Sequence, residues 1–281
     1  MPLAPVSPTT LSHAALTEVA ATRADWTDGA ALALFLVAWA GYPMLVTWLG
    51  RRHSAINIDM IRIREFWMRE MAHEPERRLL DGQLLGHTLN TANFFASTNL
   101  IMMAAVAGAL FGGERTYHAI LDVPMLSHAP RLLFEFKLIL VLAALAGGLL
   151  DFIWSIRQLS YCLTLIGAAP SGGEPGLLDR YATATGDIFN RAQASYNAGV
   201  RAYYFALAAS AWLIGPIVFA VGALAAVGLL LSRQLVSPTA RAMHAARLIV
   251  EELDIRPVTG ADQASTPTPI GQTTPVPPMP Q

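Results

Sequence analysis

Cysteine and lysine each occur once in this 281-residue chain, as Cys162 and Lys137. A single thiol excludes an intramolecular disulfide, and nothing in the cysteine usage demands an oxidising compartment. His73, Glu74 and His87 are too irregularly spaced for a metal signature such as H-E-x-x-H. No histidine falls midway along an apolar stretch, where a bis-His haem would need one. Gly-rich phosphate loops and G-x-S-x-G elbows are missing too. The residues therefore offer no ground for an enzyme, and no cofactor or metal is expected. Charged residues make up 14% of the chain and the formal charge is −1, which leaves no general footprint for nucleic acid. Met1–Thr10 is Pro- and Thr-rich rather than a basic n-region, so the first apolar stretch is expected to serve as its own insertion signal.

What the chain has in quantity is apolar sequence, 54% of its residues. It is gathered into Gly29–Leu49, Ala92–Gly112, Leu132–Leu150 with continuation to Ala169, and Ala202–Leu231. Each is at least near the ~20 residues that an α-helix needs to cross a ~30 Å hydrocarbon core. In lipid the backbone must satisfy its own hydrogen bonds, so these stretches should be helices. The expected fold is all-α: a polytopic membrane four-helix bundle whose helices extend beyond the bilayer on the cytoplasmic side. Residues 1–28 read as a flexible or loosely helical tail and 29–235 as the membrane domain, with cytoplasmic extensions at 51–91 and 156–201. A short amphipathic helix at 236–254 and a disordered Pro/Thr-rich tail at 255–281 complete the chain.

Arginine sets the expected orientation. The first connection carries Arg51, Arg52, Arg62, Arg64, Arg69, Arg77 and Arg78, and the third carries Arg157, Arg180, Arg191 and Arg201. Arg23 alone precedes the first span, while Arg115 and Arg131 occupy the second connection. Both basic connections should face the cytoplasm, which places both termini outside; in a bacterium, outside would be the periplasm. Arg233, Arg241, Arg247 and Arg256 in the C-terminal segment run against that assignment.

The basic connections are themselves patterned. Ile56, Met60, Ile63, Trp67 and Met71 form the stripe of an amphipathic helix. From Arg131 to Ala168 there is no proline, and one helix of that length would reach ~57 Å, well past the hydrocarbon. Its far end should project into the cytoplasm, with Tyr161, Leu163, Leu165 and Ile166 covered by the Ile56–Met71 stripe. The alternative is a kink after Leu150 followed by an interfacial helix. Ser237-Pro238 supplies an N-cap and first-turn proline. The face Met243, Ala246, Val250 and Leu253 would then lie on the bilayer surface. Pairs such as Ala104/Gly108, Ala144/Gly148 and Ala206/Ser210 permit close helix packing, and Gly215-Pro216 should bend the fourth span.

Six residues are candidates for an intramembrane or boundary polar site: Lys137, Asp151, Arg157, Arg201, Asn93 and Ser97. Only thirteen apolar residues separate Lys137 from Asp151, so a full crossing draws one or both into the layer. They mark a polar path or pocket, or else Lys137 snorkels outward and Asp151 pairs with Arg157 or Arg201. Asn90, Asn93 and Ser97 share a helix face, which either hydrogen-bonds to neighbouring helices or lines a wet cavity.

Three ordered motifs resemble the bacterial membrane-protein family catalogued as domain of unknown function 599. They are Asp81-Gly82-Gln83-Leu84-Leu85 with Asn93-Phe94-Phe95-Ala96-Ser97-Thr98, Trp154 to Cys162 closing with Ile166-Gly167-Ala168-Ala169-Pro170, and Asn197 to Phe205. Together they cover roughly residues 40–235. The resemblance implies a four-span inner-membrane protein and carries no activity with it. From the residues the expectation is a homo-oligomeric conduit or binding site for an ion or small solute. The alternative is a scaffold or assembly partner that docks another membrane complex through its small-residue faces and cytoplasmic helices. Partners are thus the lipid bilayer, other copies of the chain and possibly a second membrane protein, with no nucleic acid.

Overall fold

The computed structural model describes residues 8–50, 56–121 and 130–255, and among these every regular element is helical. The helices are α1 (Pro8–Gly50), α2 (Ile56–His73), α3 (Arg78–Phe111), α4 (Gly113–Leu121), α5 (Arg131–Ala168), α6 (Pro175–Ser210), α7 (Pro216–Leu235) and α8 (Pro238–Ile255). Prolines punctuate them. Pro75, Pro175, Pro216 and Pro238 stand at or near helix starts, where a missing N–H loses nothing. Ala169, held extended ahead of Pro170, ends α5. Ser237 caps α8 through a 3.2 Å bond from the Ala240 N–H to its Oγ. The tail after residue 255 lies outside the described residues.

Four helical segments among the described residues are long and apolar enough to cross a membrane: Trp26–Leu49, Pro75–Phe111, Arg131–Ala168 and Pro216–Leu253. Leu150, Ile217 and Ile101, at 67%, 76% and 70% exposure, point outward on these rods, as lipid-facing residues do. The protein is an all-α, polytopic membrane bundle. As expected, α5 is one unbroken helix of 38 residues.

The helix order is legible from cross-helix contacts. α3 and α5 run antiparallel, with Asn99 Nδ2 donating to the Leu145 carbonyl at 3.0 Å and the Phe95 and Phe152 rings stacked at 5.8 Å. α5 and α6 run antiparallel along nearly their whole length. Lys137 meets Trp212, Gly148 meets Ala202, Phe152 meets Gly199, and Ser155 Oγ donates to the Ala192 carbonyl at 2.9 Å. α7 then doubles back on α6: Trp212 stacks on Phe219 at 4.7 Å, Gly222 abuts Ala208, and Arg233 donates to the Tyr204 hydroxyl at 3.0 Å.

That return overturns one expectation. Ala202–Leu231 is not a single bent span but parts of two helices folded about Ile214, Gly215 and Pro216. Helix α6 stops at Ser210, a single 3-10 turn follows at Ala211–Leu213, and Gly215 is extended. Pro216 has no N–H with which to continue the ladder. A second expectation falls with the first. The start of the first apolar segment, at Asp28, lies beside Trp212, whereas α8 packs on α2 at the opposite end. The described chain therefore begins and ends at opposite ends of the bundle, not the same one.

Two cores result. Within the apolar layer, Phe35, Tyr42, Leu145, Phe205, Trp212 and Phe219 form one cluster. Beyond it, Met71 of the α2 stripe and its neighbour Met68 pack with Leu85, Leu159, Cys162, Ile166 and Phe189, and Trp67 of the stripe packs against them. The stripe thus covers Cys162 and Ile166, while Tyr161 stays exposed at 47%. Of the face expected to meet the bilayer surface, Leu253 is exposed at 51%, whereas Met243, Ala246 and Val250 are half-buried on the side of α8 whose Arg247 meets α2. That contact centres on buried Asp59, with Arg247 Nε at 3.0 Å and His244 Nδ1 at 3.6 Å.

Candidate functional site

At the boundary between the two cores, α1, α2, α6 and α7 enclose a cavity of about 340 Å³. Helix α6 supplies Asn190, Asn197 and Arg201 at seven- and four-residue steps, one face of a helix. Arg64 comes from α2, Tyr42 from α1 and Gln234 from the end of α7. The fold-back of α7 is what carries Gln234 to this depth.

Two guanidiniums dominate the lining. Arg64 is 8% exposed, donates from Nε to Asn190 Oδ1 at 2.7 Å, and lies 5.7 Å from the centre of the Phe189 ring. Burial pulls its pKa down to about 10, so it stays charged at neutral pH. Arg201 sits over the Tyr42 ring at 5.4 Å. Among the described residues neither forms an ion pair. Glu65, the acid acting on Arg64, is bonded to Arg62 at 3.0 Å. Asp151 acts on Arg201 from beyond ion-pair distance. Asn197 Nδ2 donates to Asn57 Oδ1 at 3.3 Å, and the buried Gln234 Oε1 has no hydrogen-bond partner. Two cations, three asparagines and a glutamine lining one cavity form a donor set that suits an anion.

The six candidate residues are thereby sorted. Arg201 lines the cavity, and half-buried Asp151 stands near it. Arg157 is exposed and donates to the Tyr161 hydroxyl at 3.2 Å, so it pairs with no part of the site. Asn93 and Ser97 are exposed on α3 and face away from the bundle. Asn99 of the same helix does turn inward, fully buried on the Leu145 carbonyl. Lys137 belongs to a separate cluster, ~21 Å from Asp151 along α5. There it is 2% exposed, 5.6 Å from the Trp212 ring and within the field of Asp28, which accepts the Trp212 indole N–H at 2.6 Å. It is enclosed, not snorkelling. No group of three or more His, Cys, Asp or Glu suited to a metal occurs among the described residues.

Several motif residues outside the cavity are joints between helices. Arg78 donates to the carbonyls of Ala169 and Pro170, each at 2.6 Å, and of Ala72 at 3.2 Å. Buried Asp81 accepts the Trp67 indole N–H at 2.8 Å. Gly199 leaves room for the Phe152 ring.

The family model described as "Protein of unknown function, DUF599" matches residues 30–239. This polytopic helical membrane protein belongs to that family. No curated protein and no solved structure matches the chain.

Proposed function

We propose that the protein is a non-enzymatic binding protein of the bacterial inner membrane, holding a small anionic group in the boundary cavity. The observation that carries this reading is the pair of buried Arg64 and half-buried Arg201 on one cavity, neither with an ion-paired carboxylate. A buried charge without a partner is expensive, and an arriving anion relieves that expense at both residues. The basic end of the bundle, with α2, α8 and the α5–α6 connection, faces the cytoplasm by the arginine rule, and the Asp28 end faces the periplasm.

The working form is a homo-oligomer. The α3 span is 6% buried within its own chain against 33% for α5, and it presents the Ala104–Gly108 pair outward. Binding is favoured over a scaffold role because the scaffold rests on that uncovered face alone and gives the two arginines nothing to do.

The test is thermal unfolding of purified protein in neutral detergent, with inorganic phosphate against chloride at equal ionic strength. Phosphate should raise the midpoint for the parent protein and not for Arg64→Gln/Arg201→Gln. An equal response of parent and double variant would refute the reading.

A further inference from the structure

Arg201 faces two ways. Besides the polar cavity, it and Pro43 line a second hollow of about 350 Å³ on the outer surface of the bundle, with Leu36, Trp39 and Ala40. This groove is apolar apart from the guanidinium. Its floor is set by Trp39, which stacks on Phe205 at 6.3 Å and tilts against Phe35 at 5.6 Å. Leu36 is 45% exposed on its rim, and Ala40 opens the middle because it has no bulk. From Pro43 to Leu36 the groove climbs ~10 Å along α1 toward the bilayer interior.

A pocket for a water-borne anion has no reason to open onto hydrocarbon. A guanidinium bordering lipid is costly unless something there satisfies it. One molecule meets both conditions when its phosphate is the anion and its tail is the hydrocarbon. Resting on the anion-binding reading above, we propose that the ligand is an anionic phospholipid of the inner leaflet. It enters sideways, with its phosphate between Arg64 and Arg201 and the first ~10 Å of one acyl chain along Leu36, Trp39 and Ala40. Charge complementarity selects the headgroup, and the continuity of cavity and groove through Arg201 and Pro43 selects an amphiphile. The amides of Asn197 and Gln234 line the same cavity, available to the polar substituent that the phosphate carries.

The experiment uses the full chain in neutral detergent with two probes read on the same variants. Retention of phosphatidylglycerol against phosphatidylcholine is read by native mass spectrometry, and stabilisation by inorganic phosphate by thermal unfolding. Ala40→Trp fills the groove from an exposed position and leaves both arginines in place; Arg201→Gln removes the shared charge. Phosphatidylglycerol should be retained selectively, and retention should fall by about tenfold or more in either variant, the loss of a charge-assisted contact or of the chain site. The phosphate response should survive Ala40→Trp and be lost in Arg201→Gln. An arginine-dependent phosphate response with no selective lipid retention, or with retention indifferent to Ala40→Trp, overturns the lipid and leaves the anion reading standing. No arginine-dependent response to either probe overturns both. Selective, Ala40-dependent lipid retention without a phosphate response supports the lipid and confines the anion reading to lipid-borne phosphate.

Discussion

Replacing Gly199 by alanine tests the joint that positions the site. The added Cβ would lie 2.8 Å from Cε1 and Cζ of Phe152 and 2.9 Å from its Cδ1. Phe152 is fully buried, with Phe95, Tyr196 and Tyr203 each 5.8 Å away centroid to centroid, so its ring has no free side to turn into. One turn further along, a Cβ on Gly148 would meet Ala202 at 2.7 Å, so α5 and α6 have no slack there either. Overpacking of this kind costs about 1–3 kcal/mol. The better helix propensity of alanine offsets ~1 kcal/mol of that. With the ring boxed in, the clash falls in the upper part of its range and the net loss is about 1–2 kcal/mol. For a domain of this size that lowers Tm by roughly 2–8 °C. Thermal unfolding in detergent, followed by circular dichroism, reads it directly. Phe152→Leu added to Gly199→Ala should relieve the clash, so the double variant loses less than the two single losses combined. Asn197 and Arg201 flank the joint, and Gly199→Ala should weaken the phosphate response as well. A Gly199→Ala protein at or above the parental Tm would refute the packing argument.

Arg78→Lys should lower stability by about 1–3 kcal/mol, because an ammonium cannot reproduce the fork that reaches the Ala72, Ala169 and Pro170 carbonyls. Urea unfolding of a variant as stable as the parent would remove the clamp from the account. Stabilisation by sulfate, an anion that does not titrate in this range, should stay level from about pH 6 to about pH 9. It should fade as pH rises through about 10, where Arg64 gives up its proton; a loss centred near neutrality would point to another group. In a Cys162→Ala background, a cysteine at Thr116 should react with an impermeant thiol reagent in intact cells and one at Ala245 should not. Labelling of both would return the two ends of the chain to one face.

The site was only partly legible because periodicity identifies a helix face and not what that face meets. Asn93 and Ser97 share a face, but Phe95 and Asn99 turn inward instead, Phe95 into the Phe152, Tyr196 and Tyr203 rings. Lys137 is held by the Asp28 field and the Trp212 ring, partners on two other helices that no local spacing links to it. Arg64 was readable in principle. It falls on the apolar side of α2 between Met60 and Met68, where a cation has to be buried. The Asn190–Asn197–Arg201 face was readable too, as a polar helix face running into an apolar segment.

The fold carried its own warning in two misfits with one cause. Ala202–Leu231 would reach ~45 Å as a single helix, too long for one crossing of a ~30 Å core. The C-terminal arginines sat on the wrong side of a topology in which that stretch crossed once. Folding the chain back at Gly215-Pro216 resolves both, since α7 then descends beside α6 and delivers Arg233, Arg241 and Arg247 to the basic end. The same turn makes the site. A single bent span would carry Gln234 and Leu230 to the far side of the membrane from Asn197. The hairpin instead sets them opposite Arg201, closing the cavity that α1 and α2 begin. Removing the break at Gly215-Pro216 would therefore undo the topology and the cavity together, because the same helix reversal produces both.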